Sequence, residues 1–455
     1  MEREKLGSRL GFILLSAGCA IGIGNVWRFP YIAGEYGGGA FVLFYIIFLV
    51  AFGVPVMTME FAVGRASRQS AVRSFHVLEK KGQKWHFHGF VALAGNLLLM
   101  MFYTTVAGWM LHYFYLSATG RYMGMQPDGV AEVFGTMLGD WRVMMFWMAL
   151  VVVLGMGICA IGLQKGVERI TKWMMGALII IMVVLAIHSI SMSGGAEGLA
   201  FYLIPDFGRM VEHGVGATIV AAMNQAFFTL SLGIGAMAIF GSYIDRTHSL
   251  LGEAVRIAGL DTLVAITAGL IIFPACFSFG VSPDKGPSLI FITLPNIFSN
   301  MAGGRIWGIL FFLFMSFAAF STVLAVFENI MSMSMELFGF QRKTAAVINT
   351  ILIFVLSMPC VLGFNVWSSF TPFGEGTGVL DLEDFLVSNV ILPFGSLIYL
   401  LFCVSRFGWG FDKFRNEANE GSGMKIPNGL KHYLTWVLPV VVAFLFVQGL
   451  IGFFS

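Results

Sequence analysis

The residues best suited to chemistry in this chain lie in one stretch, Arg9–Tyr36, RLGFILLSAGCAIGIGNVWRFPYIAGEY. An apolar helix runs into Gly18, Gly22 and Gly24, and Asn25, Trp27 and Arg28 follow before Phe29-Pro30. Each glycine costs a helix about 1 kcal/mol relative to alanine. In hydrocarbon, unwound backbone persists only where protein or a water-filled cavity satisfies its amides and carbonyls. An arginine within an apolar span marks a functional site by default. Freed carbonyls and the Asn25 amide offer oxygens to a cation, and half-helix ends offer a positive pole to an anion. Glycines alone would serve close helix packing equally well. Together with Asn25 and Arg28 they point to a binding site. A second polar-lined helix breaks in the same way at Asn224–Gly235, NQAFFTLSLGIG. Covalent catalysis has no comparable residue set, because the eight histidines are scattered and mostly near span ends. Neither a nucleophile–base pair nor a metal cluster is placed at mid-membrane.

Composition dictates what must position these residues. The 455-residue chain is 58% hydrophobic and 11% charged, against about 25% charged in a soluble domain. It reads as an all-α integral membrane protein with a single transmembrane domain over 1–455. Eleven apolar runs approach the ~20 residues of a membrane helix, at about 9–35, 40–64, 88–117, 143–162, 168–190, 215–241, 255–281, 304–337, 344–362, 379–403 and 433–454. Of the 27 Lys and Arg, 21 fall in segments on the side of the N-terminus, which predicts a cytoplasmic N-terminus. The polar segment 404–431 reads as a basic loop needing no role beyond topology. Five cysteines in or beside apolar runs read as core residues, and no cleaved signal peptide is apparent. The broken spans are the first and the sixth, each opening a block of five. Five is odd, so the second block enters from the opposite side. Matching breaks in two such halves predict an inverted repeat with a midplane site: repeat one at about 9–190, repeat two at about 215–403, and an extra helix at about 433–454.

Ser8-Arg9-Leu10-Gly11-Phe12, Gly22-Ile23-Gly24-Asn25-Val26-Trp27-Arg28-Phe29-Pro30, Gly37-Gly38-Gly39-Ala40-Phe41 and Phe227-Phe228-Thr229-Leu230-Ser231-Leu232-Gly233 resemble the signatures of the neurotransmitter:sodium symporters. The resemblance covers about residues 3–403 and is strongest to short bacterial amino-acid members. It implies the leucine-transporter fold: ten core helices in two inverted repeats, with a sodium-coupled site between the first, third, sixth and eighth spans.

The resemblance also implies site residues. A first sodium site would take the Ala20 carbonyl, Asn25, Thr229 and Asp261. Hard oxygens suit an alkali cation. Asp261 departs from the asparagine common there, and the later position that bears a serine or an acid in relatives is Ala265. Asp261 is therefore expected to supply the fixed negative charge itself, making chloride unnecessary; its protonation in the return step would give proton antiport. A second sodium site would take the carbonyls of Gly18, Ile21 and Ala318 with the hydroxyls of Ser321 and Thr322. Gly22 stands where monoamine carriers bear an aspartate and leaves room for a substrate carboxylate, held by freed amides, including those around Gly24, and by Tyr103. Leu99, Phe228, Ser231, Ile234, Thr322 and Val326 would form the side-chain subsite, with Cys19 altering polarity near the amine. Arg28 and Asp384, with Gln225 alongside, match the outer gate, and Arg3, Glu336 and Tyr243 the inner one. Gly176, ten residues after Gly166, replaces a proline often found in relatives.

The expected function is a symporter importing a hydrophobic or aromatic L-amino acid with Na+ by alternating access. A carrier of another small zwitterion or osmolyte on the same fold is the alternative. Na+ at two sites and the lipid bilayer are the expected partners, with no organic cofactor and no nucleic acid; self-association as a homodimer stays open. The expected location is the cell (inner) membrane.

Overall fold

The computed structural model describes residues 4–281 and 288–454, and among them it contains helices and no strand. The first apolar run forms two helices, α1 (Arg9–Ala20) and α2 (Gly24–Glu35), which meet at 55°. They are followed by α3 (Gly39–Ser67), α4 (Ala71–Leu78), α5 (Phe87–Thr119), α6 (Pro127–Gly139), α7 (Trp141–Ile161) and α8 (Leu163–Ile190). Next come α9 (Gly195–Leu203), α10 (Phe207–His213), α11 (Val215–Phe228), α12 (Ala236–Tyr243), α13 (Leu250–Ser278) and α14 (Leu289–Asn300). The chain ends with α15 (Gly304–Phe338), α16 (Arg342–Gly363), α17 (Val379–Val404), α18 (Phe411–Ala418) and α19 (Asn428–Ile451). Among the described residues nine of these are long and apolar enough to cross a membrane, or ten with the bent pair α1–α2 taken as one. Helices α11 and α12 are each too short to cross alone.

Local chemistry sets the ends. Ser8 caps α1 by accepting the Gly11 N–H at 3.0 Å, and Asp140 caps α7 by accepting the Arg142 N–H at 2.9 Å. Small residues set the closest approach. A Cβ on Gly64 of α3 would lie 1.8 Å from the Ala238 carbonyl oxygen of α12, and one on Gly241 of α12 would lie 2.4 Å from the Phe61 carbonyl oxygen of α3. These two helices therefore touch backbone to backbone.

The segment 404–431 is more than the loop its charge predicted. It carries α18, and Glu417 accepts from Arg65 Nε at 2.7 Å and from Arg246 Nη2 at 2.9 Å. Arg65 is 0% exposed, so this contact docks the segment onto α3. Removing one partner of such a buried pair costs about 3–5 kcal/mol.

Candidate functional site

The break between α1 and α2 is held from α5 and α15. Ile21 closes α1 by donating to the Ala17 carbonyl, Gly22 lies outside either helix, and Ile23, with helical dihedrals, leads into α2. The Ile23 N–H donates to Tyr103 Oη of α5 at 2.9 Å. A Cβ on Gly22 would stand 2.3 Å from Tyr103 Oη and 2.5 Å from Thr322 Oγ1. One on Gly24 would meet the Phe228 ring at 2.8 Å. Two hydroxyls and an aromatic edge thus converge on the bare backbone.

The break between α11 and α12 is stabilised differently. Ser231 sits at φ 50°, Gly233 at φ 99° and Gly235 at φ 71°, conformations that interrupt a helix and strain the serine. Glu60, buried in α3, accepts the Gly233 N–H at 2.5 Å and the Met237 N–H at 3.2 Å. Its carboxylate takes up one donor of the turn and one that the first turn of helix α12 leaves without an intrahelical partner. Glu60→Gln keeps one acceptor and turns an NH2 toward an N–H donor, a loss of about 1–3 kcal/mol. The expected result is a lower melting temperature and roughly tenfold slower uptake; unchanged values of both would remove Glu60 from the site.

Two oxygen clusters flank the first break. In the first, Asp261 lies inside α13, fully buried rather than at a helix end. Its Oδ1 accepts from Asn25 Nδ2 at 2.8 Å, and its Oδ2 accepts from Thr229 Oγ1 at 3.0 Å and from Tyr45 Oη at 3.2 Å. Asn25 Oδ1 faces the Thr229 hydroxyl at 3.2 Å and the Gly22 N–H at 3.4 Å. Among the described residues no cationic side chain pairs with Asp261. A buried carboxylate with neutral donors alone leaves its charge without a counterion. Ala20, whose carbonyl belongs to the expected shell, ends α1 beside this cluster and lines the cavity described below. In the second cluster, Ser321 Oγ donates to Ala318 O at 2.9 Å and lies 3.2 Å from Ile21 O. Thr322 Oγ1 is 3.2 Å from Gly18 O and 3.3 Å from Ile21 O. All five expected oxygens are thus within one hydrogen-bonded group.

Between the clusters lies a cavity of about 20 Å³, the room of one water. It is lined by Cys19, Ala20, Gly22, Gly24, Leu99, Tyr103, Phe228, Thr229, Ser231, Thr322 and Leu392. Ile234 and Val326 are fully buried but do not line it. Leu392 does line it, carried there because a Cβ on Gly233 would lie only 2.2 Å from the Leu392 carbonyl oxygen. Gly24, Tyr103 and Phe228 also line a larger vestibule of about 780 Å³ with Arg28, Gln225 and Asp384. They form the partition between the two spaces.

Above the partition, Arg28 stands 4.0 Å from Asp384 and 4.1 Å above the Phe228 ring. Ser388 lies between them, donating to Asp384 at 2.7 Å and accepting from Arg28 at 3.4 Å. Both charges are about a third exposed, so the pair itself contributes little; the ring contact adds to it. Gln225 Nε2 donates to Gly24 O at 3.2 Å.

On the other side, Tyr243 Oη donates to Glu328 Oε1 at 2.9 Å, and Glu328 also accepts from Arg342, which pairs with Glu4 at 3.1 Å. Glu336 accepts from the Ser70 N–H at 2.9 Å and the Ser70 hydroxyl at 2.6 Å. Arg3, its expected partner, lies outside the described residues. The start of α1 is fastened by the Gly7 N–H to Glu168 at 2.7 Å and by Arg9 to Glu253 at 2.6 Å. A Cβ on Gly176 would meet nothing within 4 Å.

Sequence reasoning missed Tyr45, Glu60, Leu392 and the Glu328–Arg342 pair. Glu60 and Glu328 had a readable signal, an acid inside an apolar run. Tyr45 and Leu392 had none.

The comparisons with known proteins bear on this geometry. A crystal structure of MhsT in complex with L-phenylalanine superposes with a TM-score of 0.88 at 37% identity, covering 98% of this chain and 100% of that one. The uncharacterized sodium-dependent transporter YhdH of Bacillus subtilis is 32% identical over 98% of both chains. A sodium-dependent transporter of Haemophilus influenzae is 30% identical over 99% of this chain and 98% of its own. With nine or more apolar helices, the protein is a multi-pass membrane transporter and not an enzyme. Its fold is that of the leucine-transporter type, and sodium dependence comes with its relatives. Residues 3–125 and 133–455 match the model of the sodium:neurotransmitter symporter family, to which this chain belongs.

Proposed function

We propose that this symporter imports a hydrophobic or aromatic L-amino acid with Na+ and does not require chloride. The convergence on Gly22 carries the reading: the Tyr103 and Thr322 hydroxyls crowd the place of its missing Cβ, so a carboxylate can approach the broken backbone only because no side chain stands there. Arrival of a carboxylate there adds a negative ligand beside Asn25, Thr229 and Asp261, so the first Na+ and the substrate bind as neighbours. The second Na+ lies among Gly18, Ile21, Ala318, Ser321 and Thr322 and ties α1 to α15. Leu99, Phe228 and Leu392 offer apolar walls. The room of about 20 Å³ requires these walls to part for a large side chain, and Phe228 is the movable one, since it also faces the vestibule. The phenylalanine bound by MhsT is in keeping with this substrate class.

On this reading α1–α2 and α11–α12 are each one broken span. That makes eleven spans, the first ten forming a five-plus-five inverted repeat and α19 standing outside it. The distribution of basic residues then supports a cytoplasmic N-terminus, in a cell (inner) membrane. Alternating access follows as a population shift. Sodium favours the arrangement open through the vestibule, and substrate favours its closure under Arg28, Asp384 and Phe228. Release on the other side requires parting Tyr243–Glu328 and the fastenings of Gly7 and Arg9.

The test is uptake of labelled amino acids into proteoliposomes with an inward Na+ gradient, in chloride and in gluconate. Sodium-driven uptake of a hydrophobic or aromatic amino acid, equal in both anions, is expected. Uptake dependent on chloride overturns the anion reading. Absence of sodium-driven uptake for any amino acid, with uptake of a betaine-like zwitterion, overturns the substrate class.

A further inference from the structure

We propose that His76, Glu79 and His86 form a zinc-binding site on the face of the membrane that carries the N-terminus, separate from the transport pathway. His76 lies in the last turn of α4, Glu79 is the cap that ends it, and His86 precedes the first residue of α5. The turn between brings one ligand atom from each within 4.8 Å of the other two. Glu79 Oε1 is 3.4 Å from His76 Nδ1 and 2.6 Å from His86 Nδ1. The second oxygen, Oε2, accepts the His86 N–H at 3.2 Å, which fixes the carboxylate. The imidazole rings stand at 88° with centroids 5.5 Å apart.

The donor set selects the metal. Two imidazole nitrogens and one carboxylate suit Zn2+, whereas Mg2+ and Ca2+ favour shells of oxygen alone. Three protein ligands leave a fourth position of a tetrahedron, and the exposed His76, at 75%, leaves it open to water. Two further observations favour a cation here. The Glu79 side chain is only 6% exposed, yet among the described residues its ion-pair partners are the two imidazoles alone. The nearest lysine in sequence, Lys80, instead donates to the Arg406 carbonyl at 2.9 Å.

The loop is also held before any ion arrives. Trp85 Nε1 donates to the Phe407 carbonyl at 2.8 Å, and Ser70 at the other end of α4 is bound by Glu336. A scaffold fixed at both ends spends little ordering entropy on binding. All five cysteines are buried and do not compete for the metal.

The test uses full-length protein purified through a histidine-free tag, stripped with EDTA and titrated with ZnCl2 by calorimetry, with melting temperature followed in parallel. One equivalent of zinc with micromolar or tighter affinity is expected, together with a raised melting temperature and no response to MgCl2. His76→Ala, at an exposed position outside the transport site, should weaken zinc binding at least tenfold while sodium-driven uptake without zinc stays unchanged. His86→Ala should weaken it similarly; where that variant is unstable, His76→Ala decides. Failure of the wild type to bind zinc, or binding that survives His76→Ala, overturns the proposal.

Discussion

Gly22→Ala is expected to reduce sodium-driven uptake at least a hundredfold while leaving the protein folded. The added methyl would stand 2.3 Å from Tyr103 Oη and 2.5 Å from Thr322 Oγ1, well inside contact distance. Neither neighbour yields freely. Tyr103 accepts the Ile23 N–H, and Thr322 reaches the Gly18 and Ile21 carbonyls. One methyl therefore disturbs the proposed substrate pocket and the proposed second sodium site together, and displacements of about 1 Å in such sites cost about a hundredfold in rate. Gly24→Ala provides the contrast. Its Cβ meets the edge of the Phe228 ring at 2.8 Å, and that ring borders the open vestibule, so a milder loss is expected. Uptake and equilibrium substrate binding, set beside the melting temperature, separate the outcomes. Wild-type uptake by Gly22→Ala would refute the placement of the pocket.

Asp261→Asn is expected to raise the Na+ concentration for half-maximal uptake by ten- to a hundredfold and to suppress uptake in gluconate. Asp261 is surrounded by the neutral donors Asn25, Thr229 and Tyr45. On the proposed reading its charge attracts the first Na+, and a charge-assisted contact contributes about 1.5–3 kcal/mol, each 1.4 kcal/mol being tenfold. Asparagine keeps the shape and removes the charge. Chloride is then expected to restore part of the activity, since a mobile anion can replace a fixed one. An unchanged sodium dependence with equal uptake in chloride and gluconate would dismiss Asp261 as the charge that renders chloride unnecessary.

Both breaks were legible because glycine and polar residues inside apolar runs leave few other readings. The positions of Asn25, Thr229 and Asp261 in one cluster were also reachable from motifs. What sequence could not supply was contact between distant segments. Glu60 meets Gly233 across 173 residues, and no periodicity reports that. Ile234 fell outside the cavity for a related reason, whereas Val326 lies in the unbroken helix α15 and is buried away from the cavity. Helical phase predicts facing only while the helix continues, and the left-handed turn at Ser231 resets it. The charge of 404–431 likewise concealed the docking of Glu417 on Arg65, because a buried ion pair and a solvated loop share one composition.

The joint between α3 and α12 has a mechanical consequence. Glu60 holds the Gly233 amide of the break and the Met237 amide at the start of α12, and Gly64 and Gly241 seat the helices at backbone contact. Such a joint transmits torque instead of absorbing it. The second break is therefore no elbow at its α12 side: α3 and α12 swing as one lever, and the give must come from the α11 side, where Phe228 and Thr229 meet the cavity.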